Sequence, residues 1–227
     1  MFNIKKHKSL LVQILKDIYS DIKLSNSLGF KGGTALLLLY DLPRFSVDLD
    51  FNLICMENKE YVYEKVESIL SKYGIIHDKA DKHFGLLCVL DYGVDERKLK
   101  LDISNRSFGE EYEIKNYLGI TLNVMKIEDM LANKLVAITD RKTLTTRDVF
   151  DCKYLMEQRI EINQNIVKKR TGFSLKDYFE KCISVVEKIP SNRVLFGLGE
   201  LIEEELKKDI KQNLLKDFIF FCNLYKE

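Results

Sequence analysis

The sequence predicts an α+β protein: a mixed β-sheet with flanking helices, followed by a mostly helical second half. Three observations lead there. Short stretches that alternate apolar and polar residues at period two fall between amphipathic stretches in the first half. From Ile127 onward the apolar residues recur at helical spacing. The chain of 227 residues has only two prolines and eleven glycines and is 46% hydrophobic, the composition of a folded protein rather than a disordered one.

Taken in order, Lys5 to Leu28 carries Leu10, Leu11, Ile14, Leu15, Ile18, Tyr19 and Ile22 at helical spacing, which predicts one or two helices. Phe30 to Gly33 reads as a short strand running into a glycine turn. Thr34 to Tyr40 then reads as a short buried helix, stopped before Pro43. After the loop DLPRFS, the segment VDLDFNLI alternates acidic and apolar residues as a strand with one polar face would. KEYVYEKVESILSKYG predicts an amphipathic helix, and strands are expected around Ile75–Lys79, Phe84–Asp91, Lys98–Ile103 and Ile120–Val124. The second half offers IEDMLANKLVAITDR, TTRDVFDCKYLMEQR and three further helical stretches. No low-complexity linker and no fixed-period repeat separates the halves, so a boundary near Met125 marks a change of structural class.

The formal net charge is +1, so a polyanion has to be met by local groups rather than by the field of the whole molecule. No apolar run approaches the roughly 18 residues of a membrane span, and the charged N-terminal segment does not read as a signal peptide. A cytoplasmic protein without membrane contact is expected. Cys55, Cys88, Cys152, Cys182 and Cys222 are odd in number and widely spread, as reduced, mostly buried thiols are. His7, His77 and His83 form no HExxH pattern and outline no zinc site.

The chemistry is concentrated in FKGGTALLLLYDLPRFSVDLDF. Gly32 and Gly33 allow backbone amides to approach an anion, and the free amides at the start of the helix beginning at Thr34 add positive dipole, so a triphosphate fits there. Asp48 and Asp50 project from one face of a strand with Cα atoms about 6–7 Å apart, close enough to share hard divalent ions such as Mg2+. Two-metal phosphoryl transfer, with ions about 3.5–4 Å apart, calls for a third carboxylate. Asp102, in KLKLDIS, is the candidate, as metal ligand and general base, with Asp91 and Asp95 as alternatives. An isolated D-x-D is commonly just a solvated strand edge; the adjoining glycine turn changes that reading.

Lys134 and Arg141 are seven residues apart on one helix face and suit phosphate oxygens that gain charge. Asp148 and Asp151 share a face at i and i+3, with Arg147 placed for an i,i+4 pair with Asp151. A surface salt-bridge face is the alternative. Arg44 and Ser46, in the loop before the acidic strand, contact either phosphate and ribose or the loop backbone. The basic and aromatic residues of the last third, Lys168 to Arg170 among them, read as solvated helix faces.

The GGTAL, RFSVDLDF, KL and RD..D elements resemble the AbiEii/AbiGii nucleotidyltransferase toxins, within the DNA polymerase β-like superfamily. That superfamily's motif of a glycine, then Gly or Ser, a spacer and D-x-D or D-x-E is matched by Gly32, Gly33, Asp48 and Asp50, with Thr34 where many relatives carry Ser. A second region, MLANKLVAITDRKTLTTRDVFDCKYL, is similar to the family's and supplies Lys134, Arg141, Arg147, Asp148 and Asp151. The resemblance spans Lys31 to Leu155; Asp102 is assigned by position and strand pattern.

The resemblance implies a nucleotidyltransferase-like sheet. Residues 1–125 are then the catalytic domain and residues 126–227 a helical domain that contributes Lys134 and the RDxxD helix. It further implies a toxin of a type IV toxin–antitoxin or abortive-infection system. Such an enzyme moves NMP from an NTP to an acceptor, tRNA above all, with Mg2+ or Mn2+ on Asp48, Asp50 and Asp102. The expected catalytic residues are these three with Lys134 and Asp151, and the expected nucleotide-binding residues are Gly32, Gly33, Thr34, Arg44, Ser46, Arg141, Arg147 and Asp148. A cognate antitoxin would be encoded nearby, with or without direct contact. The alternatives are transfer to a small molecule or protein side chain, or a non-catalytic nucleotide-binding module, whose mark would be a damaged D-x-D.

Overall fold

The computed structural model describes residues 3–93, 96–141 and 145–226. The chain forms two compact units. The first comprises Met1–Asp41, Phe45–Ser107 and Tyr112–Met125; the second comprises Leu42–Arg44, Phe108–Glu111 and Lys126–Glu227.

In the first unit, α1 (Ile4–Ser20) starts at Asn3, whose side chain accepts from the Lys6 amide at 3.0 Å. It buries Leu11, Ile14, Leu15 and Ile18 completely, and each such side chain contributes about 1.5–3 kcal/mol of transfer free energy. Asp21 ends α1 and caps α2 (Ile22–Ser27), accepting from the amides of Lys23 and Leu24. The chain continues through β1 (Leu28–Lys31), α3 (Gly32–Leu39), β2 (Leu49–Leu53), α4 (Lys59–Leu70), β3 (Ile75–Lys82), β4 (Gly85–Asp91), β5 (Leu99–Ser104), β6 (Tyr112–Tyr117) and β7 (Ile120–Met125). The seven strands form one mixed sheet in the order β3-β4-β5-β2-β1-β7-β6, with β2/β5 and β1/β7 parallel and the other pairs antiparallel.

Register gives the sheet two unlike faces. Phe30 pairs with Phe51, and Phe51 with Ile103, so these side chains share one face, and all three are fully buried. Lys31 pairs with Asp50, and Asp50 with Asp102, which puts the charged residues on the other face.

Two elements depart from the sequence expectation. β6 is a strand where none was anticipated: it lies at the sheet edge with Ile114 67% exposed, so it carries no apolar stripe to read. β3 runs on to Lys82 through charged residues, because an edge strand needs only one covered face.

The second unit is helical: α5 (Ile127–Asp140), α6 (Thr146–Glu157), α7 (Gln164–Thr171), α8 (Leu175–Val186) and α9 (Glu204–Leu224). α5 packs on α6, α7 and α8, and α9 packs on α6 and α8. Four of the five cysteines are buried and Cys55 is half-buried, all as free thiols. Burial pushes the thiols of Cys88 and Cys182 up to about 11 and about 12, so neither is a nucleophile near neutral pH.

Candidate active site

The glycine turn and the acidic strand are one local structure. Gly32 has φ +82°, and a Cβ added there would lie 2.3 Å from Asp50 Oδ2, so only glycine lets the turn close against the carboxylate. α3 begins at this residue, and its N-cap residue, Lys31, makes no side-chain cap to the first turn, whose leading amides carry the positive end of the helix dipole. Gly33 and Thr34 are buried in that turn.

The Thr34 and Ser46 hydroxyls meet each other beside the Asp48 backbone. The Thr34 hydroxyl, fully buried, donates to the Asp48 carbonyl oxygen, and its oxygen lies 3.0 Å from Ser46 Oγ. A hydroxyl has one proton, so Ser46 is the donor in the second contact. Together they hold the backbone of Asp48, which stands immediately before β2 and is half-buried. Sequence reasoning passed over a third holder. His7 Nε2 lies 2.9 Å from the Val47 carbonyl oxygen and Nδ1 lies 2.6 Å from Tyr92 Oη. A carbonyl only accepts, so Nε2 carries the proton and Nδ1 accepts from Tyr92. Burial lowers the His7 pKa, with Arg97 adding to the shift and the Val47 hydrogen bond and Glu96 opposing it.

Asp50 and Asp102 are direct partners across the parallel β2/β5 pair, hence side by side on one face at the roughly 5 Å strand spacing. Asp91 lies four residues along β4 from Leu87, the partner of Asp102, which is about 13 Å away by strand rise, and its carboxylate pairs with Lys98 at 3.9 Å. Asp95 is outside the described residues. The same face carries a polar chain that the sequence did not reveal: Lys31 Nζ donates to Asn52 Oδ1 at 2.5 Å, and Asn52 Nδ2 to Tyr112 Oη at 2.8 Å.

Arg44, Lys134, Arg141, Asp148 and Asp151 are brought together in the second unit: Arg44, Asp148 and Asp151 are buried, Lys134 is half-buried and Arg141 is exposed at the edge. Asp151 is fully buried and grips Arg44 in a two-pronged pair, Nε to Oδ1 at 2.6 Å and Nη2 to Oδ2 at 2.7 Å. Lys134 Nζ lies 2.7 Å from Asp151 and 3.2 Å from Asp148, and Arg141 Nε lies 2.8 Å from Asp148. Arg44 and Lys134 thus take the Asp151 partnership for which the i,i+4 spacing had marked Arg147. Burial by itself would raise the Asp151 carboxyl; the Arg44 and Lys134 charges outweigh it and hold the group below the usual carboxylate range. The Nε and Nη2 groups of Arg44 are both engaged by Asp151. An ammonium has three N–H bonds, and Lys134 spends two of them on the carboxylates.

A divalent metal suits the first unit on donor chemistry. An anion bound at the Gly32 turn would sit against the Asp50 carboxylate, and like charges that close need a cation between them. Asp48, Asp50 and Asp102 supply the hard oxygens that such an ion prefers. Among the described residues no set of three or more Asp, Glu, His or Cys side chains is already gathered at ligand spacing.

A family model described as nucleotidyl transferase AbiEii toxin, type IV TA system, matches residues 13–220. The fold is similar to the crystal structure of JHP933 from Helicobacter pylori, with 24% identity, a TM-score of 0.64 and coverage of 100% of this chain and 94% of that one. A crystal structure described as a candidate nucleotidyltransferase from H. pylori aligns with 24% identity, a TM-score of 0.63 and coverage of 98% and 94%. The solution structure of the antibiotic-resistance factor ANT(2'')-Ia aligns with 13% identity, a TM-score of 0.51 and coverage of 82% and 97%. At these identities the likeness is one of fold, here the α+β nucleotidyltransferase fold. A search of the curated proteins returns no match.

Proposed function

The chain belongs to the AbiEii nucleotidyltransferase toxins of type IV toxin–antitoxin systems, and on that basis we propose that it transfers NMP from an NTP to a hydroxyl of RNA, with tRNA as acceptor. The carrying observation is the pairing of Asp50 with Asp102 beside the Gly32 turn, which sets a carboxylate pair against the N-terminal start of α3. The acceptor oxygen bonds to the α-phosphorus as the bond to the bridging oxygen breaks. Pyrophosphate leaves with that electron pair, and the hydroxyl proton passes to Asp102. Asp48, Asp50 and Asp102 would hold Mg2+ or Mn2+, which supplies positive charge to the phosphates. Gly32 and Gly33 with the α3 amides cradle the triphosphate, while Thr34 and Ser46 position Asp48. Lys134 is assigned to phosphate charge through its third N–H, with Asp148 and Asp151 orienting it; Arg141 and Arg44 complete that cluster, and Arg147 supplements its charge. A cognate antitoxin encoded nearby completes this reading.

Fold likeness to an antibiotic-resistance factor supports a second reading, transfer to a small molecule. The intact Asp48-x-Asp50 counts against a non-catalytic module. The test is incubation of the purified chain with each α-labelled NTP, divalent ion and total cellular RNA, with Asp48→Ala and Asp50→Asn as controls. Label in tRNA that both controls lose is the expected result. Label in small molecules or protein alone would overturn the acceptor, and transfer by either control would overturn the carboxylate assignment.

A further inference from the structure

Beyond Asp102 the polar face of the sheet runs onto β4, where a cavity of about 290 Å3 is lined by His83, Phe84, Gly85, Asp102, Ser104 and Arg106. Its floor is bare for a reason. Gly85 pairs with Ser104 at φ +142°, and a Cβ there would fall 1.9 Å from the Ile103 carbonyl oxygen, so no side chain can fill the space beside Ser104. Phe84 stands at the rim, 56% exposed, with its ring edge-on to His83 (centroids 4.6 Å apart) and 5.4 Å from the Arg106 guanidinium. The rim is braced: the Asn105 amide donates to the Phe84 carbonyl at 3.0 Å and Asn105 Nδ2 to the His83 carbonyl at 3.1 Å. A single exposed phenylalanine means little. An aromatic face, a guanidinium and an open cavity meeting beside a carboxylate of the candidate active site make a combination that such exposure does not explain.

Strand order says which reactant the cavity serves. The sequence β4-β5-β2-β1 sets the Gly32 turn, at the end of β1, and the cavity, on β4 and β5, on opposite flanks of the Asp50–Asp102 pair. In-line displacement likewise needs the leaving pyrophosphate and the attacking hydroxyl on opposite sides of the phosphorus. With the turn taken by phosphates, the cavity falls to the acceptor. Its volume is at the lower end of ligand pockets, about 300 Å3, enough for one nucleoside and too small for a duplex. Stacking on an aromatic ring with guanidinium support is how unpaired bases are held.

We propose that this cavity is the acceptor subsite: an unpaired terminal base of the acceptor RNA stacks on Phe84 beside Arg106, setting its ribose hydroxyl toward Asp102. The inference rests on the proposed RNA acceptor, and the experiment separates the two. A short single-stranded RNA with 2-aminopurine as its 3′-terminal base is titrated with the full chain, and KM for the same RNA is measured with labelled NTP. Wild type should quench the fluorophore. Phe84→Ala should lose the quench and raise KM for RNA about tenfold, while Phe84→Tyr should keep both. Because Phe84 is exposed, thermal unfolding of the variants should match wild type, which sets a folding defect aside. Wild-type transfer to RNA with unchanged quench and KM in Phe84→Ala would overturn the subsite and leave the RNA reading standing. Transfer only to small molecules or protein would overturn both.

Discussion

Replacing Arg44 by Met and Asp151 by Leu, singly and together, measures how the buried cluster is held. The two side chains are 3% and 0% exposed and meet at 2.6 and 2.7 Å. Removing Asp151 takes away the carboxylate that Arg44 and Lys134 share, and removing Arg44 leaves Asp151 with Lys134 alone at 2.7 Å; either change costs up to about 3–5 kcal/mol, a large part of the roughly 5–15 kcal/mol that stabilises a typical protein. With an m-value of about 2–3 kcal/mol/M, each single substitution should lower the urea midpoint by roughly 1–2.5 M. The double substitution removes both buried charges at once, and Lys134 keeps Asp148 at 3.2 Å. Replacing a buried ion pair with apolar side chains of similar volume is commonly near neutral, so the double variant should be more stable than either single one. Equilibrium urea unfolding followed by circular dichroism at neutral pH reads all four midpoints. A double variant whose loss equals the sum of the single losses would refute the pairing.

Gly32→Ala forces a β-carbon into left-handed backbone and against Asp50. Thermal unfolding should shift down by roughly 2–8 °C, and NMP transfer should fall tenfold or more because the carboxylate is displaced; unchanged transfer would sever the turn from the chemistry. His7, whose pKa burial lowers from 6.5, is neutral in the fold while the unfolded chain takes up its proton below about pH 6.5. Its stabilisation is therefore present above pH 6.5 and lost as pH falls below it, whereas the depressed Asp151 carboxyl weakens the fold only below about pH 3.8. His7→Gln should flatten the stability profile between pH 7 and 5, and an unchanged slope there would assign the effect elsewhere.

Much of the fold was legible because burial leaves a period in the sequence. The α1 stripe, the β2 and β5 alternations and the three helices after α6 all follow from it. β6 escaped because an edge strand carries no such stripe. In the candidate site, glycines and acidic alternation are local signals and could be read directly. The partners of Asp151 could not: Arg44 lies 107 positions away, and an acidic pair at helix spacing looks the same whether solvated or buried. His7, Asn52 and Tyr112 escaped for the same reason, since each acts through a neighbour that only the folded sheet supplies.

Parallel neighbours cannot be joined by a tight turn, so the chain between β2 and β5 has to make an excursion, and α4, β3 and β4 are that excursion. Its length does not enter the alignment of Asp50 with Asp102, which depends only on β5 returning in step; slippage by one residue would turn Leu101 or Ile103 into the position of the acid. Insertions, deletions and exchanges within this detour are thus free to remodel the Phe84 rim while the carboxylates stay in place.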